Sequence, residues 1–134
     1  MQEHRLPHAP EAAALARDLA VRASDGLVSP DRMDDFVLMV SEAVTNAYRH
    51  ASTGANGNIG LRLERRDGAL RGVVIDGGTG FAPYGVSRDG DGHFGLRIID
   101  ALSDRWGVTV DGTTHVWFEV DVAGASARNG LTAV

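Results

Sequence analysis

SEAVTNAYRHA, residues 41–51, has the spacing of a core helix and carries two polar residues, Glu42 and Asn46, beside its apolar stripe. The stripe runs through Phe36, Val40, Ala43, Val44, Ala47 and Ala51, each three or four residues from another of the set, which predicts one buried helical face. Its start is legible as well. Ser29 suits an N-cap, Pro30 the first helical position and Asp31 the first turn. STGANGN, residues 52–58, breaks the helix, and the period then drops from 3.6 to 2 at Ile59, Leu61 and Leu63. ALRGVVID, residues 69–76, reads as the partner strand, with RDGA between the two as a hairpin turn.

Around this centre, residues 10–24 carry apolar residues at 12, 15, 16, 19 and 20 and predict a first helix, opened by Pro10 and closed by SDG. Residues 77–94 are rich in glycine and show no periodicity, so a long loop is expected there. GLRIIDALSDRW predicts a further helix through Leu96, Ile99, Leu102 and Trp106. GVTVDGTTHVWFEVDV predicts two strands around a glycine turn. Residues 1–122 are read as one domain and residues 123–134 as a flexible tail.

Composition narrows the function. A chain of 134 residues with 43% hydrophobic content is the size of one globular unit. It has no cysteine, which excludes disulfides, thiolate zinc sites and a cysteine nucleophile, and suits the cytoplasm. It has no lysine either, so a P-loop, a Schiff base and a kinase-type strand lysine are all ruled out. A net charge of -5 argues against a phosphate-backbone binder, so no direct nucleic-acid partner is expected. The N-terminus shows no secretory leader pattern and no run is long enough to span a bilayer, so no membrane association is expected.

Three motifs carry chemistry, and each has a plain alternative. Glu42 and Asn46 lie about 40° apart on a helix surface, which is the arrangement of an ordinary i,i+4 pair. The same pair could place a hard amide oxygen on magnesium and a carboxylate beside an attacking hydroxyl. Asp76 ends an apolar strand and precedes Gly77, Gly78, Thr79 and Gly80, so it could accept a hydrogen bond from an adenine amino group above bare backbone. A hairpin turn is the alternative, but no strand-like run follows, and Pro83 interrupts a dinucleotide-binding fingerprint. Finally, DGHFGLRIIDALSD runs from a glycine-bounded loop into a helix whose start, near Gly95, Leu96 and Arg97, is either an anion site or only a helix start.

In this order the motifs resemble the N, G1 and G2 boxes of the GHKL ATPases. The lead-in LPHAPEAAALARDLA together with SEAVTNAYRHA, LRIIDALSDRWGV and GTTHVWFEV is similar to the anti-sigma-factor serine kinases over residues 4–122. The resemblance implies an α+β fold, a two-layer α/β sandwich of a mainly antiparallel sheet with helices on one face. It implies ATP and Mg2+ as cofactors, with Asn46 on the metal, Glu42 as catalytic base and Asp76 on adenine. Gly78, Gly80, Gly95 and Leu96 would line the nucleotide, Thr114 would sit near the adenine, and residues 81–94 would form a lid. It further implies a serine/threonine kinase that sequesters a sigma factor and phosphorylates an anti-anti-sigma (STAS-type) protein, and it allows a homodimer. Two other readings stay open at this point: a nucleotide-gated binding module without phosphoryl transfer, and a detached histidine-kinase ATP domain.

Overall fold

A computed structural model of the chain describes residues 2–50, 58–76 and 91–122. Its elements are β1 (Gln2–Leu6), α1 (Ala12–Ser24), α2 (Pro30–His50), β2 (Ile59–Arg66), β3 (Ala69–Asp76), α3 (Asp91–Leu102), β4 (Arg105–Asp111) and β5 (Thr113–Asp121). The five strands form one sheet in the order β1-β2-β3-β5-β4, antiparallel at every step. The helices cover one face, giving the two-layer α+β sandwich that the sequence predicts.

Local chemistry sets most element boundaries. The Ser29 hydroxyl accepts the backbone N–H of Arg32 at 3.3 Å, so it caps α2 as expected. Asp67 and Gly68 turn β2 into β3 with φ of 51° and 81°. A two-residue hairpin whose twist matches its strands needs positive φ at both positions, which Asp-Gly adopts at low cost. Alternation then sorts the sheet into faces. Ile59, Leu61, Leu63, Leu70, Val74, Val116, Phe118 and Val120 are buried against the helices. The outer face is a ladder of charge. Glu119 accepts from Arg105 Nε at 2.8 Å and from Arg71 Nη1 at 3.0 Å, while Arg105 also reaches Asp121 and Arg71 lies over the Trp117 ring. Burial works to raise the Glu119 pKa, but the hydrogen bonds from Arg105 and Arg71 outweigh it and hold the carboxyl below its ordinary value.

The layers meet at Phe36 and Phe118, whose ring centroids lie 5.8 Å apart. Gly72 makes this possible, because a Cβ there would stand 2.7 Å from Phe118 Cε2 and 3.4 Å from Phe36 Cζ.

Three boundaries differ from the sequence reading. Strand β1 was not anticipated: only Leu6 of its residues is buried, so its alternation leaves a weak trace, and it exists because β2 pairs it from Gln2↔Leu63 to Leu6↔Ile59. Helix α3 starts at Asp91, inside the expected loop and before Gly95. A helical glycine costs roughly 1 kcal/mol, which burial of Leu96 and Ile99 can offset. The same helix stops at Leu102, and Trp106 belongs to β4 opposite Phe118 rather than to the helix. Its spacing from Leu102 is helical, yet its indole reaches back to α3 from the sheet, donating to Asp100 Oδ1 at 2.9 Å. The expected lid lies outside the described residues over 81–90, and so does the tail over 123–134.

Candidate nucleotide site

The direction of each element decides which predicted residues meet. The hairpin turn at Asp67 and Gly68 marks one end of the sheet and Asp76 marks the other. At the hairpin end, Ala23 and Leu27 share a groove with Leu63 and Leu70, so α1 finishes and α2 begins there. Phe36, one turn and a half into α2, sits over Gly72. From Phe36 to Asn46 the helix advances ~15 Å. From Gly72 to Asp76 the strand advances ~13 Å in the same direction. The second half of α2, with Glu42 and Asn46, therefore lies towards the Asp76 end.

Helix α3 reaches that end from its other terminus. Arg32, in the first turn of α2, donates to the carbonyl of Leu102 at 3.0 Å, so α3 finishes at the hairpin end. The residue after next, Asp104, donates its N–H to the Glu119 carbonyl, again on the hairpin half of the sheet. Helices α2 and α3 pack together, and the start of α3 thus projects towards Asn46 and Asp76. Its free N–H groups belong to residues 91–94 by helix geometry, one turn earlier than Gly95, Leu96 and Arg97.

The sheet supplies the opposite wall. Asp76 is the last residue of β3 and pairs directly with Thr114 on β5 and with Ile59 on β2. Both polar residues lie on the face that carries Gly72 and Phe118, and both are buried, at 3% and 2% exposure. Burying a carboxylate at a strand end is costly unless its surroundings satisfy it. Asn46 is also buried, at 5% exposure, while Glu42 one turn before it is half-buried. That asymmetry suits an amide fixed in place beside a carboxylate that can still reach an incoming group.

The remaining predicted residues divide. Leu96 is in α3 but its side chain belongs to the core cluster, so what it offers a ligand is backbone. Gly95 is inside the first half of α3. Gly78 and Gly80 lie outside the described residues. Two contacts had no signal in the sequence, one beside Glu42 and one at the hairpin end of α3. Arg17 of α1 donates to the Ser41 hydroxyl at 3.1 Å, beside Glu42, and Arg32 holds the end of α3; both join residues far apart in the chain.

Comparisons with known proteins show the family and the fold. The family model of the histidine kinase-like ATPase domain matches residues 6–120. A serine-protein kinase RsbW from Listeria innocua is 33% identical over 115 residues, covering 75% of this chain and 73% of that protein. A sensor histidine kinase, PdtaS of Mycobacterium tuberculosis, is 33% identical over 101 residues, which are 72% of this chain but only 20% of that protein. Among solved structures, the RsbU and RsbW domains of a Mycobacterium tuberculosis protein superpose with a TM-score of 0.68 at 21% identity. The match covers 91% of this chain and 33% of that one, and it shows the shared fold.

Proposed function

We propose, since this chain belongs to the histidine kinase-like ATPase family and within it to the anti-sigma-factor serine kinase type, that it binds ATP with magnesium, holds a sigma factor and phosphorylates an anti-anti-sigma protein of STAS type on serine or threonine. The observation that carries the reading is the buried Asp76–Thr114 pair at the end of the sheet towards which the Glu42–Asn46 half of α2 runs. The chain's acidic balance favours a protein partner over nucleic acid.

Each residue then has a role that its chemistry permits. The Asp76 carboxylate accepts a hydrogen bond from the adenine amino group, and the Thr114 hydroxyl beside it offers a second polar contact. The Asn46 amide oxygen is a hard, neutral ligand fit for magnesium, which keeps its waters and phosphate oxygens in its other positions. When bound, the metal supplies charge neutralisation on the phosphates. Glu42 accepts the proton of the incoming serine hydroxyl while the new O–P bond forms and the bond to the ADP oxygen breaks. With no lysine in the chain, phosphate charge falls to the metal, to arginine and to the helix start.

A test combines calorimetric titration of magnesium-ATP with transfer of labelled phosphate to a STAS-type protein from the same genome. Acid-stable label on serine or threonine is the expected outcome. Acid-labile label on a histidine-bearing protein would instead favour a detached histidine-kinase domain, the reading that the PdtaS similarity supports. Tight ATP and sigma binding with no transfer to any such protein would leave a nucleotide-gated binder.

A further inference from the structure

The structure assigns Arg32 as a positioning residue for the nucleotide site: by pinning the far end of α3, it sets where the start of that helix meets the phosphates. This rests on the nucleotide reading above and adds to it a residue outside the motifs that carried it.

Arg32 sits in the first turn of α2, yet its guanidinium serves other elements. Nη1 donates to the Leu102 carbonyl at 3.0 Å and to Asp35 Oδ2 at 2.7 Å, and Nη2 donates to Asp104 Oδ2 at 2.9 Å. The same Asp104 oxygen accepts the backbone N–H of Asp121 at 2.7 Å, and the Asp104 N–H donates to the Glu119 carbonyl at 2.8 Å. One side chain thus links α2, the last turn of α3 and the β5 end of the sheet. Helix α3 has no basic residue in its own last turn. The cation that complements its C-terminal partial charge comes instead from another helix.

The placement of these ties gives α3 a fixed end and a following end. Among the described residues, its polar tethers are Arg32 at Leu102 and Trp106 at Asp100, both in the C-terminal third. Leu96 and Ile99 hold the middle through the core. The start of α3, which reaches the Asp76 end, has its position set by the rigid rod behind it. A rod about 17 Å long converts a small shift at Leu102 into a shift of its free N–H groups. Geometry errors of about an ångström at a site suffice for large losses in productive binding.

The experiment measures magnesium-ATP and adenosine affinity by calorimetry for wild type, Arg32→Met, Arg32→Lys and Asp104→Asn, with the melting temperature of each. Because Asp76 and Thr114 are on the sheet, adenosine affinity should hold in every variant. ATP affinity should fall on the order of tenfold in Arg32→Met. Arg32→Lys, which keeps a cation at the helix end, should recover much of that loss, and Asp104→Asn, which leaves the Leu102 bond in place, should lose less. Unchanged ATP affinity in folded Arg32→Met or Asp104→Asn overturns the inference, and so does an equal loss of ATP and adenosine binding. A wild-type protein that binds neither ligand overturns the nucleotide reading itself.

Discussion

Asp76 and Thr114 face each other across the β3–β5 ladder, a buried carboxylate and a buried hydroxyl in register at the end of the sheet away from the Asp67-Gly68 hairpin. Residues on neighbouring antiparallel strands that stand in register share one ligand-facing spot, so their contributions to binding should be coupled. Asp76→Asn should weaken ATP, ADP and adenosine alike, by about 1.5–3 kcal/mol, the worth of a hydrogen bond to a charged acceptor. Thr114→Val should lose less, and the double variant should lose less than the sum. Calorimetry on the four proteins reads the coupling directly, and strict additivity would separate the two residues.

Asn46 should show its role only when metal is present. If, as proposed, the amide serves the cation rather than the base, Asn46→Ala should weaken ATP in magnesium and leave affinity in EDTA unchanged. Its burial at 5% exposure means the truncation also leaves a small void, so a melting temperature taken alongside separates the two effects. Equal weakening with and without magnesium would place Asn46 elsewhere.

Glu42 is half-buried on the same flank and can be exchanged at constant size. On the proposed function, Glu42→Gln should bind ATP as wild type does, yet lose phosphoryl transfer by about a hundred- to ten-thousandfold. Transfer of labelled phosphate in a single turnover is the measurement. Retained transfer would remove Glu42 as the base.

Gly72 tests the packing on which the site's geometry depends. An alanine Cβ would come within 2.7 Å of Phe118 Cε2 and 2.9 Å of its Cζ, forcing the Phe36–Phe118 contact apart. Overpacking of this kind costs about 1–3 kcal/mol. Gly72→Ala should therefore lower the denaturation midpoint, while Phe118→Leu in that background should restore part of the loss by clearing the space.

Glu119 should leave a signature in the acid range. Its carboxyl is held below the ordinary value of 4.5, against the opposing pull of burial, by hydrogen bonds from Arg105 and Arg71. A depressed pKa means the folded state binds its proton less readily than the unfolded chain. The stabilisation is thus complete above pH 4.5 and disappears as pH falls through the folded-state value. Glu119→Gln should cost about 1 kcal/mol at pH 7. The gap between the two proteins should stay level down to about pH 4.5 and close below it, as followed by urea denaturation across pH.

Local order explains why so much was legible in the chain itself. The stripe from Phe36 to Ala47 dictates a helix whatever surrounds it, Ser29 and Pro30 mark its start, and Asp67-Gly68 dictates a hairpin because few other pairs take positive φ twice. The motif residues Glu42, Asn46 and Asp76 were equally visible, since each stands out as a polar group in an apolar run. Where the reading slipped, local signals were ambiguous. Trp106 keeps helical spacing from Leu102 but is claimed by its pairing with Phe118, and Gly95 reads as the helix start although the helix begins at Asp91 and runs through it.

What the sequence determined by itself is the set of pieces: helices, hairpin, polar sites and the absence of cysteine and lysine that directs the chemistry. What the tertiary structure alone decided is adjacency. Only the strand order places β5 beside β3 and so brings Thr114 opposite Asp76, and only packing lets Arg32 of α2 close the end of α3. Periodicity and turn chemistry act between residues a few positions apart and leave their mark in the chain. Pairing across 38 or 70 positions (114 − 76 and 102 − 32) is settled by the burial of whole faces against one another, a property that no short stretch of sequence contains.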